Sequence, residues 1–416
     1  MSQWLAQVIE RAGNVDDWLA SARSKALAEL KEKEWPGRRT EAWRYTSLHK
    51  VADLNLATTS EATTAEAPQV EGLNSIDLVF VDGRLVSDIA NLTLPEGVTI
   101  ASLDAKSDAA ESVFGQVKPQ HHLFGLVNDV LAQHGVVIDI APNANVEQPI
   151  RIVNFASDGV ESHQRSLVRV GESAKAVIIE HGAGNGHSLN TAFAEYDIAD
   201  KAALEHYRLA LHEGEAIHVG GSHFRLHNES KLNSTLVGYG SQLTRLDVDI
   251  EHAGEHAFAK FNNIYLLAPK EHFDLHSTIE HAQPNGTTEE NARGIIGDKA
   301  KAVFNGRIHI HRHAQKTLAE LNNRNLLLTR GAQINTKPEL EIYADDVQCA
   351  HGATVAEIDE EALYYMLTRG IDKQQALVML NFGFVQELLF QMPNRALANW
   401  LQPILKQRFE RMMEQQ

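Results

Sequence analysis

Apolar residues along this 416-residue chain recur first at helical spacing, then at strand spacing, then at helical spacing again. In residues 16–37, DDWLASARSKALAELKEKEWPG, Leu19, Ala22, Ala26, Leu27 and Leu30 share one helix face, with Asp16 as N-cap and Trp-Pro-Gly as the stop. The following RRTEAWRYTSLHKVADL carries Trp43, Tyr45, Leu48 and Val51, aromatics that either pack on that helix or form an exposed docking point. Residues 57–70, ATTSEATTAEAPQV, are small and polar, as in a linker. From Ser75 the pattern alternates, and Asp82-Gly83 between two apolar runs predicts a hairpin. One helix interrupts near 119–134: Leu123, Leu126 or Val127, Val130 and Leu131 line one face, Gly135 stops it, and His121 and His122 fall in a solvent-facing first turn.

A loose repeat follows. VIDIAPNA, VRVGESAKA, YDIADKAAL, FRLHNESKL, VDIEHAGEH, STIEHAQPN, IHIHRHAQK and EIYADDVQC each run apolar-x-apolar, then polar, then small. Their centres, Ile140, Val170, Ile198, Leu226, Ile250, Ile279, Ile310 and Ile342, are spaced by about 24 to 32 residues, a period suited to stacked coils of parallel strands rather than to a sandwich. The predicted fold is mainly β: a parallel β-helix over 71–358, preceded by a helical region and linker over 1–70 and followed by a helical region over 359–416. The helical regions are expected to cover the exposed strand ends of the solenoid. In the tail, Asp359 caps EEALYYMLTR, Gly370 ends it, and Asp372 caps a single helix KQQALVMLNFGFVQELLFQM before Pro393. That helix is apolar over a broad surface, so part of it packs and the rest offers a ridge for another protein.

Composition narrows the class. Hydrophobic content of 43% and charged content of 22% are ordinary for a globular protein. A formal charge of -17 argues against nucleic acid as the main partner, and no membrane span is visible. One cysteine allows no internal disulfide, and MSQWLAQVIERAGNVDD lacks the pattern of a secretory signal, so a cytoplasmic location is expected. No GxxxxGK[ST] phosphate loop occurs, so ATP hydrolysis would have to come from elsewhere.

The candidate chemistry centres on Cys349 and His351. Two residues apart in an extended segment they share a face, and both side chains are metal donors. Two donors do not close a zinc or iron-sulfur site, which takes four, so the remaining ligands would come from distant histidines or another chain. The bland reading makes Cys349 a small buried hydrophobe and His351 a turn residue. In GRIHIHRHAQK, alternation puts Ile308 and Ile310 on one face and His309, His311 and His313 on the other, in a row about 7 Å apart that does not converge on one ion without bending. His218, His223 and His227 resemble a cupin strand in composition only.

Three strings, PGRRTEAWRYTSL, NGRIHIHRHAQKTLAELNNRNLLL and KPELEIYADDVQCAHGATVAEIDEEALYYMLTRGI, carry a resemblance to the SufB/SufD family of iron-sulfur cluster assembly subunits over essentially the whole chain. Its length and single cysteine place it on the SufD side, since SufB is longer and richer in Cys. The resemblance implies a right-handed parallel β-helix that pairs with SufB, C-terminal helices that bind the ATPase SufC, and no cofactor held independently, with iron or a cluster handled transiently at the SufB interface. His351 matches the family position at that interface and Cys349 a neighbouring one. Arg369, Gly370, Ile371, Ala376, Leu380, Gly383 and Phe384 fall in the SufC-docking segment. ATP-driven dimerisation of SufC would then shift the SufB contact and open the His351 surface.

Two other classes stay open. One is a β-helix polysaccharide-active enzyme using Asp345, Asp346 and Glu341, acids that otherwise form a solvated turn. The other is a purely structural interaction subunit. A large exposed β-helix face would also allow homodimers of the isolated chain.

Overall fold

The computed structural model describes residues 2–13, 15, 17–58 and 64–414. Asp16, expected to cap the first long helix, and residues 59–63 of the expected linker lie outside the described residues. The helix itself runs Ala20–Glu32.

Two sheets face each other across an apolar interior and together make about eight coils of a parallel β-solenoid. The front sheet carries Ile150–Phe155, Lys175–Gly184, Ala203–His212, Lys231–Tyr239, Phe258–Leu267, Thr287–Ile296, Leu318–Leu327 and Gln348–Glu357, in that spatial order. The back sheet carries Gly135–Ile140, Glu161–Val170, Ser188–Ile198, Ala216–Leu226, Leu243–His252, His272–His281, Lys301–Ile310 and Gln333–Ile342. Each strand therefore pairs with the equivalent strand of the next coil.

The polar-then-small half of the repeat is a column of corners. Asn143, Ser173, Lys201, Glu229, His256, Asn285 and Lys316 all take left-handed φ, between +56° and +63°. The N–H of each points up the stack: Ser173 donates to the Asp200 carbonyl at 2.9 Å, Lys201 to Asn228 at 2.8 Å, Lys316 to Asp346 at 2.6 Å. The residue after the corner turns inward where space is short, which is why Ala174, Ala202 and Ala257 stand there, buried. Ile140, Val170, Ile198 and Leu226 pair in direct register. Leu226 then pairs with His252 rather than Ile250, and Ile308 rather than Ile310 pairs with Ile279. Both slips are by two residues, so the inward face is kept.

The helical regions cover the sheet faces, not the ends of the solenoid as expected. Gln3–Ala12, Ala20–Glu32 and the interrupting helix Leu123–Leu131 bury Trp4, Leu5, Val8, Leu30 and Phe124 on Leu189, Phe193, Ile217 and Val219 of the back sheet. Trp43 joins this layer, 5.6 Å from Phe124, whereas Tyr45 stays exposed; the segment forms a short 3-10 turn, Glu41–Trp43, and a short helix, His49–Ala52. On the front sheet, Val385, Leu388, Leu401, Leu405 and Phe409 cover Tyr207, Val237, Ile264 and Ile295. The sheets have apolar residues on both faces, and this outward set is what the helices bury. The expected single helix from Lys373 is broken into Lys373–Asn381 and Gly383–Phe390, followed by Arg395–Glu414. Asp359 and Asp372 cap as expected, accepting from Ala362 N at 2.9 Å and Gln375 N at 3.0 Å.

The two ends differ. Beyond the first coil, Ile76–Val81 and Arg84–Leu85 form the expected Asp82-Gly83 hairpin, and Val98–Ser102 pairs antiparallel with Gly135–Ile140. The last strands, Gln333–Ile342 and Gln348–Glu357, keep the parallel register of the coils beneath and, like Arg84–Leu85 and Val98–Ser102 at the other end, have a strand neighbour on one side only. Among the described residues no helix is long and apolar enough to cross a membrane.

Candidate functional site

The last front strand stacks Cys349 on Ala319 and His351 on Leu321. Ala319 and Leu321 are both fully buried members of the interior core, so Cys349 and His351 share the inward face at the open end of the stack. Cys349 is half-buried against that core, and burial pushes its thiol up, partly offset by a backbone hydrogen bond from Ala319. It is a protonated thiol at neutral pH until a metal or cation draws the proton off. His351 is exposed because no further coil covers it. Neither belongs to a three-ligand cluster among the described residues. The pair fits a site that a second chain completes and does not fit a cluster held by this chain alone. Beside Cys349 runs a groove of about 580 Å³ lined by Thr287, Glu289, Glu320, Val347, Gln348 and Ala350.

The columns beneath carry polar groups that alternation alone did not reveal. Glu290 lies one coil below Leu321 and is fully buried, accepting from Ser277 Oγ at 2.7 Å and Asn263 Nδ2 at 3.4 Å. Burial pushes its carboxyl up to about 7, against the opposing Ser277 bond. Thr288, one coil below Ala319, sits 3.0 Å from both His252 Nε2 and His281 Nε2, whose rings stack at 4.1 Å. One hydroxyl proton cannot serve both, so one imidazole accepts and the other donates. Burial drives His252 down to about 4 and His281 well below its ordinary value, so both are neutral. The signal for this pair is Ile-Glu-His recurring at 250–252 and 279–281.

The expected docking segment is split. Ala376 is fully buried with Leu363 and Leu377 in the helices' own core. Gly370, at φ +82°, ends Glu360–Thr368, and Arg369 lies over the Tyr365 ring at 5.0 Å. Ile371 is half-buried, Gly383 exposed at the helix break, and Phe384 lies under Arg293 at 5.6 Å. Leu380 is exposed and belongs with Tyr364, Tyr365, Leu367 and Met379 to an apolar set that includes a Tyr364 70% open to solvent.

Of the other histidines, His121 is exposed and His218, His223 and His227 form no common site, both as expected, whereas His122, His309 and His311 are placed differently. His122 precedes the helix Leu123–Leu131 and is nearly buried, with its Nε2 2.8 Å from Asp249 Oδ2; burial opposes its charge, but Asp249 and Asp247 hold its pKa up. His121 stacks on it at 4.1 Å. His218 stacks inside the solenoid on His212 at 4.0 Å, His223 shares Asp249 with His122, and His227 pairs with Asp197 at 2.8 Å, so these three do not converge. His309 and His311 do converge: their rings stack at 4.4 Å, not in the expected row, because the strand ends at Ile310; His313 is exposed in the turn beyond. Asp345 and Asp346 form an exposed turn, with Asp346 paired to Lys316, while Glu341 pairs with Arg307 at 2.6 Å.

Fold and site together define a β-solenoid whose distinctive surface is the open end of a stack rather than a cleft. Residues 153–384 match the domain described as "SUF system FeS cluster assembly, SufBD core domain", and residues 6–152 match the "SufBD protein N-terminal region". The chain belongs to the SufBD family of iron-sulfur cluster assembly proteins. It is 29% identical to the iron-sulfur cluster assembly protein SufD of Escherichia coli, over 87% of this chain and 86% of that one. An iron-sulfur cluster assembly SufBD family protein of Synechocystis is 27% identical over 94% of this chain and 91% of its own length. A chloroplastic protein of Arabidopsis thaliana is 27% identical over 94% and 88%.

Proposed function

We propose that this chain is a subunit without a catalytic centre of its own, which pairs with SufB through its last coil and with the ATPase SufC through the helices between Glu360 and Phe390. The observation that carries this is the bare final coil, on whose inward face Cys349 and His351 stand two residues apart. A strand edge with unpaired N–H and C=O groups is a template for another strand, and a partner stacking there would meet both side chains at once. SufB thiolates added to them would make up the four ligands a cluster takes, so iron or a nascent cluster is cargo at a shared interface. The exposed Tyr364, Tyr365, Met379 and Leu380 suit SufC, because large apolar side chains left open to solvent are what a partner helix or groove packs on. SufC dimerising on ATP would move these helices and, through the front sheet they cover, the shared coil; its differential affinity for the two states supplies the driving free energy.

Anaerobic reconstitution of the chain alone and mixed with SufB and SufC, counting iron and acid-labile sulfide, tests this. A cluster that forms only in the mixture and is lost in His351→Ala is the expected result. A full cluster with His351→Ala would leave the chain a structural subunit.

A further inference from the structure

On the outer face of the back sheet, away from Cys349 and His351, Glu280 pairs in register with His309 and faces both stacked imidazoles. Its Oε2 lies 3.5 Å from His311 Nε2 and its Oε1 3.8 Å from His309 Nδ1. The donor atoms of the three residues all lie within 4.8 Å of one another. Two ligands bound at about 2.1 Å to a tetrahedral ion are about 3.4 Å apart, so the closer pair already has the spacing of shared coordination. His311 Nε2 is shielded from solvent and has no hydrogen-bond partner among the described residues, an arrangement that shielded ring nitrogens rarely keep unless something else satisfies them.

One group competes. Arg307 Nη2 donates to His309 Nδ1 at 3.0 Å while the same guanidinium grips Glu341 through Nε at 3.0 Å and Nη2 at 2.6 Å, and its Nη1 lies 3.6 Å from Glu280. An incoming ion displaces the bond to His309, and the Arg307–Glu341 pair survives that loss. Glu280 and Glu341 outweigh the arginine charge. Two imidazoles and one carboxylate with open positions are the donor set of ferrous iron and also suit zinc.

We propose that Glu280, His309 and His311 bind one divalent first-row transition-metal ion, leaving its remaining positions to water. This site stands apart from the interface reading of His351.

The test uses the untagged full chain carrying Cys349→Ala and His351→Ala, titrated with Co(II) alone by equilibrium dialysis and visible absorption. One equivalent should bind with a ligand-field band, His311→Ala and Glu280→Gln should each weaken it by about 10-fold or more, and Arg307→Gln should tighten it. Unchanged binding in the His309→Ala/His311→Ala variant, or no binding below about 1 mM, overturns the proposal. Should that variant not fold, substoichiometric Co(II) added to the starting protein gives a second readout by NMR. The ring signals of His309 and His311 should broaden first, and broadening confined to other histidines overturns the proposal equally.

Discussion

Leu321 and His351 stand one above the other in the same inward column of the front sheet, yet Leu321 is wholly buried and His351 is open to solvent. Position along the stack, not local sequence, sets that difference. His351→Leu should therefore leave the melting temperature of the isolated chain unchanged or slightly raised, while cluster formation with SufB and SufC is lost. Leu321→His should do the reverse damage, lowering stability by about 3 kcal/mol in denaturant unfolding, since it empties part of the core and buries a polar ring.

Glu290 makes stability depend on pH. Its folded-state pKa is raised to about 7 by burial, so between the unfolded carboxyl pKa and 7 the folded chain holds a proton that the unfolded chain has released. Stability contributed here falls as pH rises through that window and is flat above it. Glu290→Gln should remove this slope and stabilise the protein more at pH 8 than at pH 5, by roughly 3 kcal/mol at most. Urea titrations at the two pH values measure it.

Glu195 anchors the N-terminal layer. Its carboxylate accepts the N–H groups of Gly115, Val117 and Lys118 at 2.8, 2.9 and 2.8 Å and pairs with Arg165, which also binds Asp129 at 3.0 Å. All three charged groups are buried. Glu195→Gln should cost about 3 kcal/mol, because it leaves buried Arg165 and Lys118 to share the single carboxylate of Asp129, and Glu195→Gln with Arg165→Met should recover part of the loss. Denaturant unfolding of the single and double variants gives the comparison.

Met379 and Leu380 contribute to the apolar set on the C-terminal helices, 57% and 37% exposed. Met379→Glu with Leu380→Glu should abolish SufC binding in a pull-down or calorimetric titration while shifting stability by less than about 1 kcal/mol, the range of surface substitutions. Retained SufC affinity would move the docking surface elsewhere.

Much of the architecture was legible because one physical rule repeats. Ile140, Val170, Ile198 and Leu226 announce the coil, and the left-handed corners with their buried Ala neighbours explain why polar and small residues follow. Asp359, Asp372 and Asp82-Gly83 were readable because caps and tight turns are local. Glu290 was not, since Ile295 of the same strand is covered from outside by the C-terminal helices while Ile296 faces the interior, which erases the alternation that would assign faces. The break before Gly383 hid inside ALVMLNFGFV, apolar but for Asn381 and Gly383, and the meeting of His309 with His311 depended on where a strand stops. Cys349 and His351 were singled out by residue type and spacing; that they end a column is a property of the stack.

The unequal ends of the solenoid have a consequence for how far assembly can proceed. A rod whose repeating unit is its own best template would grow into a filament if both tips were alike in being open. Here the antiparallel strands Val98–Ser102 and Arg84–Leu85 interrupt the parallel repeat at one tip, and Gln348–Glu357 continues it at the other. On the proposed reading, a neighbour that continued the parallel register would find its template at one tip alone, so stacking of that kind would stop at pairs.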